Sequence, residues 1–182
     1  GGLDWVKAGM TVAIKTNLVS RMSPDSAAVT HPEAVAALVR MLTARGARVI
    51  VGDSPGGPWT AAWVHSVYHG AGMDAVVRAG GELNDDFGTA EVRFPEGRTA
   101  KSFSYTSWLQ KADAIIDFAK LKTHGMAGMT CAVKNFFGTI PGTRKPEMHY
   151  MHPNTPDFCS LLVDLALYNA PRLTLVDAVE CM

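Results

Sequence analysis

"THPEAVAALVRMLTARGARVIVGDSPGG", residues 30–57, decides the fold. Thr30 with Glu33 three residues later reads as a capping box at a helix start. Val35, Leu38, Val39 and Leu42 then recur at i, i+3, i+4 and i+7, the apolar stripe of a helix lying on a core, and Gly46 is the stop. "ARVIVGDSPGG" follows as a buried strand running into a Gly/Pro turn. Just upstream, "TVAIKTNLV" (11–19) opens with β-branched and apolar residues and reads as a strand ending near Thr16 and Asn17. Strand, helix and strand form one unit, most simply parallel and right-handed.

The same alternation continues outward. Residues 59–80 read as helical with interruptions at Gly70 and Gly72, and "AEVRFPEG" with "KSFSYTS" as a hairpin-like excursion around Gly97. A buried strand is predicted from Ala114 to about Ala119, then a short helix from about Thr130 to Phe137, closed by Gly138. "TPDFCSLLVDLALYNAP" is a second clear helix, with Thr155 as cap, Pro156 in the first turn and Phe158, Leu161, Leu162 and Leu165 as its stripe. "RLTLVDAV" supplies the last strand. Alternating apolar strands and amphipathic helices imply an α/β fold: a mostly parallel sheet with helices on both faces.

Composition bounds the function. The chain has 182 residues, 47% apolar and 19% charged, which suits one globular α/β domain over residues 1–182. It opens on Gly-Gly and stops just after an apolar strand, so both ends are expected to be truncated and the domain to be a fragment of a larger protein. Formal net charge is zero, against a broad nucleic-acid or acidic-membrane footprint. Three scattered cysteines, Cys131, Cys159 and Cys181, contain no C-x-x-C pair, so this chain encodes no iron–sulfur ligand cluster. No apolar run approaches a membrane span, and the expected compartment is the cytoplasm.

In parallel sheets ligands gather at the carboxyl ends of the strands. The first strand delivers Lys15 and Asn17 there, the second Asp53 and Ser54, the third Lys120, Lys122, Thr123 and His124, and the last Asp177. The most unusual stretch is "AKLKTHGMAGMTCAVKNFFGTIPG" (119–142), which has three lysines, a histidine and no acid. Alternate residues of an extended segment share a face, so Lys120, Lys122 and His124 are expected to point together. Thr130 is read as the cap of a helix whose free N–H groups add positive character, with Lys134 one turn in. Asn135 on that helix and Lys145 in the loop beyond complete the candidate binding set. Unpaired clustered cations suit a carboxylate or phosphate. "GDSPGG" offers backbone N–H groups for a phosphate but lacks the Walker and G-x-G-x-x-G patterns. A histidine with pKa near 6.5 exchanges protons at neutral pH, and a lysine crowded by cations is inclined to nucleophilic, Schiff-type chemistry.

Other histidines carry less. His31 reads as a turn residue. His65 and His69 have metal-compatible i, i+4 spacing without a third ligand. His149 and His152 lie in the Pro-rich loop "RKPEMHYMHPN" (144–154).

"VAIKTNLV", "THPEAVAALVRMLTARGARVIVGDSP" and above all "KLKTHGMAGMTCAVKNFFGTIPG" resemble the domain-of-unknown-function family 362. Members often carry a ferredoxin-like iron–sulfur segment, which this chain lacks. A more distant resemblance is to nickel-pincer lactate racemases, whose run H-x-x-A-G-x-[ST]-x-x-x-K is matched by His124, Ala127, Gly128, Thr130 and Lys134. That resemblance implies Lys134 as tether of a nickel-pincer cofactor, His124 as acid/base and His149 as metal ligand. The departures are a late Pro141-Gly142 and Cys131-Ala132-Val133 in place of a glycine-rich continuation. The expectation is therefore a domain binding an anionic small molecule or cofactor, with catalysis by His124 and Lys134 in the manner of a racemase-like isomerase. The alternative is an electron-transfer or non-catalytic scaffold docking an iron–sulfur protein or segment from outside this chain, through a flat face ringed by Trp59, Trp63 and Trp108.

Overall fold

A computed structural model describes residues 2–181. β1 (Thr11–Lys15) runs parallel to β2 (Arg48–Gly52) on one side and to β6 (Ala114–Lys120) on the other. β2 carries the short β3 (Glu82–Leu83) and β6 carries β9 (Leu173–Asp177), both again parallel, so the sheet order is β3-β2-β1-β6-β9. Val12, Ala13 and Ile14 of β1 and Ile116 of β6 are fully buried. That is the signature of strands covered on both faces.

The chain moves outward from β1 to β3, then returns to lay β6 beside β1 and moves outward again to β9. Right-handed crossovers in opposite directions place helices on opposite faces, and the reversal between β1 and β6 opens a crevice at the strand carboxyl ends.

α1 (Pro32–Thr43) buries Val35, Leu38, Val39 and Leu42, the four residues of the sequence stripe. Its cap is His31 rather than Thr30: His31 Nδ1 accepts from Glu33 N at 3.3 Å. Thr30 is drawn into the sheet instead, where its hydroxyl accepts from Asn17 N at 2.9 Å and donates to Phe118 O at 3.0 Å. α2 (Ala61–Gly70) and α3 (Asp74–Arg78) are separated at Gly72, whose φ of +70° no β-carbon tolerates easily. β4 (Thr89–Arg93) and β5 (Ser102–Thr106) form the expected antiparallel hairpin.

After β6 the sequence reading needs three corrections. A second small hairpin, β7 (Lys122–His124) with β8 (Gly128–Thr130), occupies the stretch read as the lead-in to a helix. α4 (Ala132–Asn135) is a single turn capped by Cys131, continued by a 3-10 turn over Phe136–Thr139, so Thr130 is a strand residue and not a cap. α5 (Lys145–Met151) then leads to α6 (Thr155–Asn169), whose cap is Asn154: its Oδ1 accepts from Asp157 N at 2.9 Å. Among the described residues no helix is long and apolar enough to cross a membrane.

Candidate functional site

The floor of the site lies at the switch point. Lys15, the last residue of β1, is fully buried, and its Nζ sits 2.6 Å from Asp53 Oδ1 at the end of β2. Its register partner on β6 is Asp117. Asn135 of α4 ties the two strands together: its Nδ2 donates to Lys15 O at 3.0 Å and to Asp117 Oδ1 at 2.6 Å. Its Oδ1 accepts from Lys15 Nζ at 3.2 Å and from Asn17 Nδ2 at 3.4 Å. Burial pushes the Asp117 carboxyl up to about 6, against the opposing pull of Asn135 and Lys15. Its Oδ2 is buried without a hydrogen-bond partner among the described residues, which also favours the protonated acid. Gly138 passes directly over this floor; a β-carbon there would run into Asp53 Oδ1 and Lys15 Nζ.

Above the floor is a cleft of about 450 Å³. Lys122, Lys134 and Lys145 line it, and none of them forms an ion pair among the described residues. Asp53 also lines the cleft, but its carboxylate is engaged by Lys15 and by Leu18 N, which donates to Oδ2 at 2.8 Å. Each of the three lysines is held down to about 8, chiefly by burial. Asp53 opposes that shift in all three, while Lys15 reinforces it in all three. The lysines are not equivalent. Lys122 Nζ donates to Asn17 Oδ1 at 2.7 Å and to Ala28 O, and Lys145 Nζ donates to Ser54 O. Lys134 Nζ has no acceptor among the described residues; it lies over the rings of Phe137 and Phe158, 4.9 and 5.6 Å from their centroids.

His124 lines the same cleft at the end of β7. Its Nδ1 accepts from Met126 N at 3.2 Å and Ala127 N at 3.1 Å. This arrangement puts the neutral ring's proton on Nε2 and would have to be given up for Nδ1 to take a second proton. Burial, then the charges of Lys134, His149 and Lys122, hold the imidazole below its ordinary value. His149 of α5 is likewise held down by burial, Lys134 and Lys145. Its ring stacks on Phe158 at 4.6 Å and meets Phe137 edge-on at 5.1 Å. His124, Lys134 and His149 therefore occupy one corner, built on two phenylalanines.

Of the residues read from the sequence, Asn17, Asp53, Ser54, Lys122, Thr123 and His124 line the cleft, as do Thr130, Lys134, Asn135 and Lys145. Lys15 lies directly beneath. Thr130 acts structurally, donating its hydroxyl toward Lys120 O at 3.1 Å and Lys122 O at 3.3 Å. Lys120 is elsewhere: it pairs with Asp177 at 2.9 Å, with both side chains buried. β6 ends at Lys120 and Leu121 N turns to Asp177 O, so the alternation that would have aligned Lys120 with Lys122 and His124 is broken there. "GDSPGG" has two of its backbone N–H groups already taken. Ser54 N donates to Gly138 O and Gly56 N to Val19 O, and Pro55 has no N–H. Ser54 lines the cleft, and its Oγ is closed off from solvent without a partner among the described residues. His65 and His69 do not share a ligand position; they contact Asp85 and Asp74 separately. No group of three metal-ligating side chains is present among the described residues.

Sequence reasoning did not find Asp117, Phe137 and Phe158 as parts of the site. An acid inside the apolar run "AIIDFAK" was the one available signal for the first. Val19 at the cleft rim was also missed: its φ of 50° is strained for a β-branched residue. Trp59 and Trp108 belong to the core, and half-buried Trp63 donates its indole N–H to Gly56 O at 2.7 Å, so they do not ring a docking face.

Comparison with known proteins bears on the family and the fold. A family model described as domain of unknown function (DUF362) matches residues 12–182. The thylakoid-associated protein sll1697 of Synechocystis is 30% identical over 187 aligned positions, covering 98% of this chain and 55% of that protein. Among solved structures, the lactate racemase apoprotein of Thermoanaerobacterium thermosaccharolyticum superimposes with a TM-score of 0.53 at 13% identity, covering 96% of this chain and 44% of the racemase. At that identity the likeness shows the fold. The chain spans about half the length of both proteins.

Proposed function

We propose that this chain, which belongs to the family of domain of unknown function 362, binds an anionic small molecule in the cleft at the strand carboxyl ends, with His124 exchanging protons on the bound ligand. One observation carries the reading: three lysines, Lys122 buried and Lys134 and Lys145 half-buried, line a single cleft without carboxylate partners, beside the imidazole of His124. Burying an ammonium without compensation is costly, so a site that keeps three of them is poised for an incoming negative charge. Lys122 and Lys145 are the anchors, Asn17 adds a neutral polar side chain beside Lys122, and the Lys15–Asp53–Asn135 floor fixes their positions.

His124 takes part in acid/base work in step with its loop: Nε2–H can be delivered to the ligand once Nδ1 takes up a proton, which requires Nδ1 to release Met126 N and Ala127 N. An isomerase acting at a carbon next to a carboxylate is the reaction this set favours, and the shared fold with a lactate racemase is in keeping with it. A nickel-pincer cofactor fits the corner in one respect: the acceptor-free Lys134 Nζ beside His124 and His149 matches the tether, acid/base and ligand roles that the resemblance implies. Such a group, when bound, would supply the metal centre. The composition supports a cytoplasmic setting, and the cysteines are free.

Calorimetry on the full-length protein with carboxylates and phosphates as probes tests the reading. Lys122→Met and Lys145→Met are each expected to weaken binding by about tenfold or more. Unchanged affinity in the double variant would sink it.

A further inference from the structure

We propose that Lys134 forms a protonated imine with the carbonyl carbon of a small 2-oxo acid whose carboxylate is held by Lys122 and Lys145. The inference rests on the anion-binding reading and adds a substrate class and a covalent step.

The choice of Lys134 comes from what the three lysines touch. Lys122 Nζ is committed to Asn17 Oδ1 and Ala28 O, and Lys145 Nζ to Ser54 O. Those acceptors stabilise an ammonium and orient it, which is what a carboxylate anchor needs. Lys134 Nζ has no acceptor among the described residues, so its lone pair is free once the proton has left. A nucleophile and a point-charge anchor are thus built from the same residue type by their surroundings.

The rest of the corner fits the product. An imine nitrogen that keeps one proton is a flat cation, and Phe137 and Phe158 present ring faces 4.9 and 5.6 Å from the present ammonium. His124 lines the same cleft, with Nδ1 taken by two backbone donors and Nε2–H left to donate a hydrogen bond to the departing oxygen. The ligand's negative charge offsets Lys15, Lys122 and Lys145 around the new cation. The balance is simple. The ammonium of Lys134 and the ketone give a C=N bond and one water: the nitrogen pair forms the new bond, the C–O bond breaks, and two N–H protons depart with the oxygen. No oxidant or reductant is needed.

The cleft also favours a carboxylate over a phosphate. Its lining contains no arginine, and Ser54 N and Gly56 N of the "GDSPGG" loop are already engaged. What remains is the two anchoring ammonium groups of Lys122 and Lys145, enough for one carboxylate.

The experiment uses the full-length protein, whose intact mass is taken before any ligand is added. Pyruvate and glyoxylate are then supplied with cyanoborohydride, and the reduced adduct is located by peptide mapping. The expected result is one adduct per chain at Lys134, absent in Lys134→Arg, with its yield cut about tenfold or more in Lys122→Met. Propionate, which has the carboxylate without the carbonyl, is tested for binding in parallel by calorimetry. Binding of propionate without any adduct overturns the imine and leaves the anion site standing. Loss of both overturns both. A mass already attached to Lys134 before ligand is added also overturns the imine, because the nitrogen is then occupied as a tether. Adducts scattered over surface lysines overturn it as well.

Discussion

Two lysine-bearing corners lie at the carboxyl end of one sheet, and they solve the burial of an ammonium in opposite ways. At the β6–β9 edge, Lys120 is closed onto Asp177, and that carboxylate also accepts from His31 N at 2.9 Å. At the β1–β6 switch point, Asp53 is spent on Lys15, and Lys122, Lys134 and Lys145 have no acid of their own. The first corner is electrically finished. The second holds positive charge that the fold does not neutralise, at a cost visible in three lysines held down to about 8. A paired buried lysine is architecture; the unpaired group is where the proposed anion would bind.

Substitution should split the two corners most sharply in stability. Lys120→Met strands Asp177 as a buried, uncompensated carboxylate, and removing one partner of such a pair costs about 3–5 kcal/mol. Lys134→Met removes an ammonium that has no partner to strand and leaves an apolar chain over Phe137 and Phe158, so stability should stay level or rise. Chemical denaturation of both variants makes the comparison. Equal losses would erase the distinction between a closed corner and an open one.

Gly138→Ala tests how tightly the floor under the open corner is built. The new methyl meets the Lys15 ammonium and the Asp53 carboxylate, and neither can withdraw without breaking their ion pair. Overpacking of this kind costs about 1–3 kcal/mol. The same substitution is expected to weaken anion binding in calorimetry, because Ser54 N hangs from Gly138 O and Ser54 heads the loop on which Lys145 is anchored. A variant of wild-type stability would show that the floor is looser than its geometry implies.

The contrast between the corners was only partly legible in the sequence. The strand–helix–strand unit was, because the stripe Val35, Leu38, Val39, Leu42 and the run in β2 are local patterns with their own period. The gathering of Lys15, Asn17, Asp53, Lys122 and His124 was also legible, since strand ends in a parallel sheet converge by topology. Lys120 was misplaced because periodicity was carried from Lys120 to His124, past the end of a strand, and only the pairing of Lys122–His124 with a different strand shows where the first one stops. Thr30 and Thr130 looked like caps by residue type, but each hydroxyl is recruited by a backbone group distant in sequence or on a neighbouring strand. Asp117 stayed hidden inside an apolar run, and its meaning depends on Asn135, 18 residues later. Phe158 read as one member of a helix stripe; that it also floors a lysine is a tertiary fact.

Titration should separate the corners by sign. Lys122, Lys134 and Lys145 have folded values below the unfolded one, so between about pH 8 and the ordinary lysine value the unfolded chain binds more protons. Without ligand, stability contributed by this corner should rise with pH through that window, the penalty being fully present below about 8. Anion affinity should fall over the same range as the ammonium groups are lost. Asp177, held below the ordinary carboxylate range, with Lys120 as the chief lowering influence against burial, works at the other end of the scale. Its contribution is present at neutral pH and is lost in acid as pH drops through its depressed value. Denaturation from about pH 2 to pH 10, with calorimetry over the alkaline half of that range, would expose either sign as mistaken.

The smallest effect belongs to histidines whose sequence spacing looked as suggestive as that of the site. His65 contacts Asp85 at 2.9 Å and His69 contacts Asp74 at 3.2 Å, with every partner side chain more than half exposed. Water already solvates these groups in both folded and unfolded chains, so the contacts gain little, about 0–1 kcal/mol each. His65→Gln and His69→Gln should therefore leave stability and anion affinity nearly unchanged, whereas His124→Gln, which changes a cleft residue fixed by two backbone donors, should impair proton exchange. Exchange of a ligand's α-hydrogen with deuterated water, followed by NMR, reads the difference. The i, i+4 pair fails as a site for the reason the cationic corner succeeds: a group acquires a task when burial makes its charge matter, and neither of these two histidines is buried.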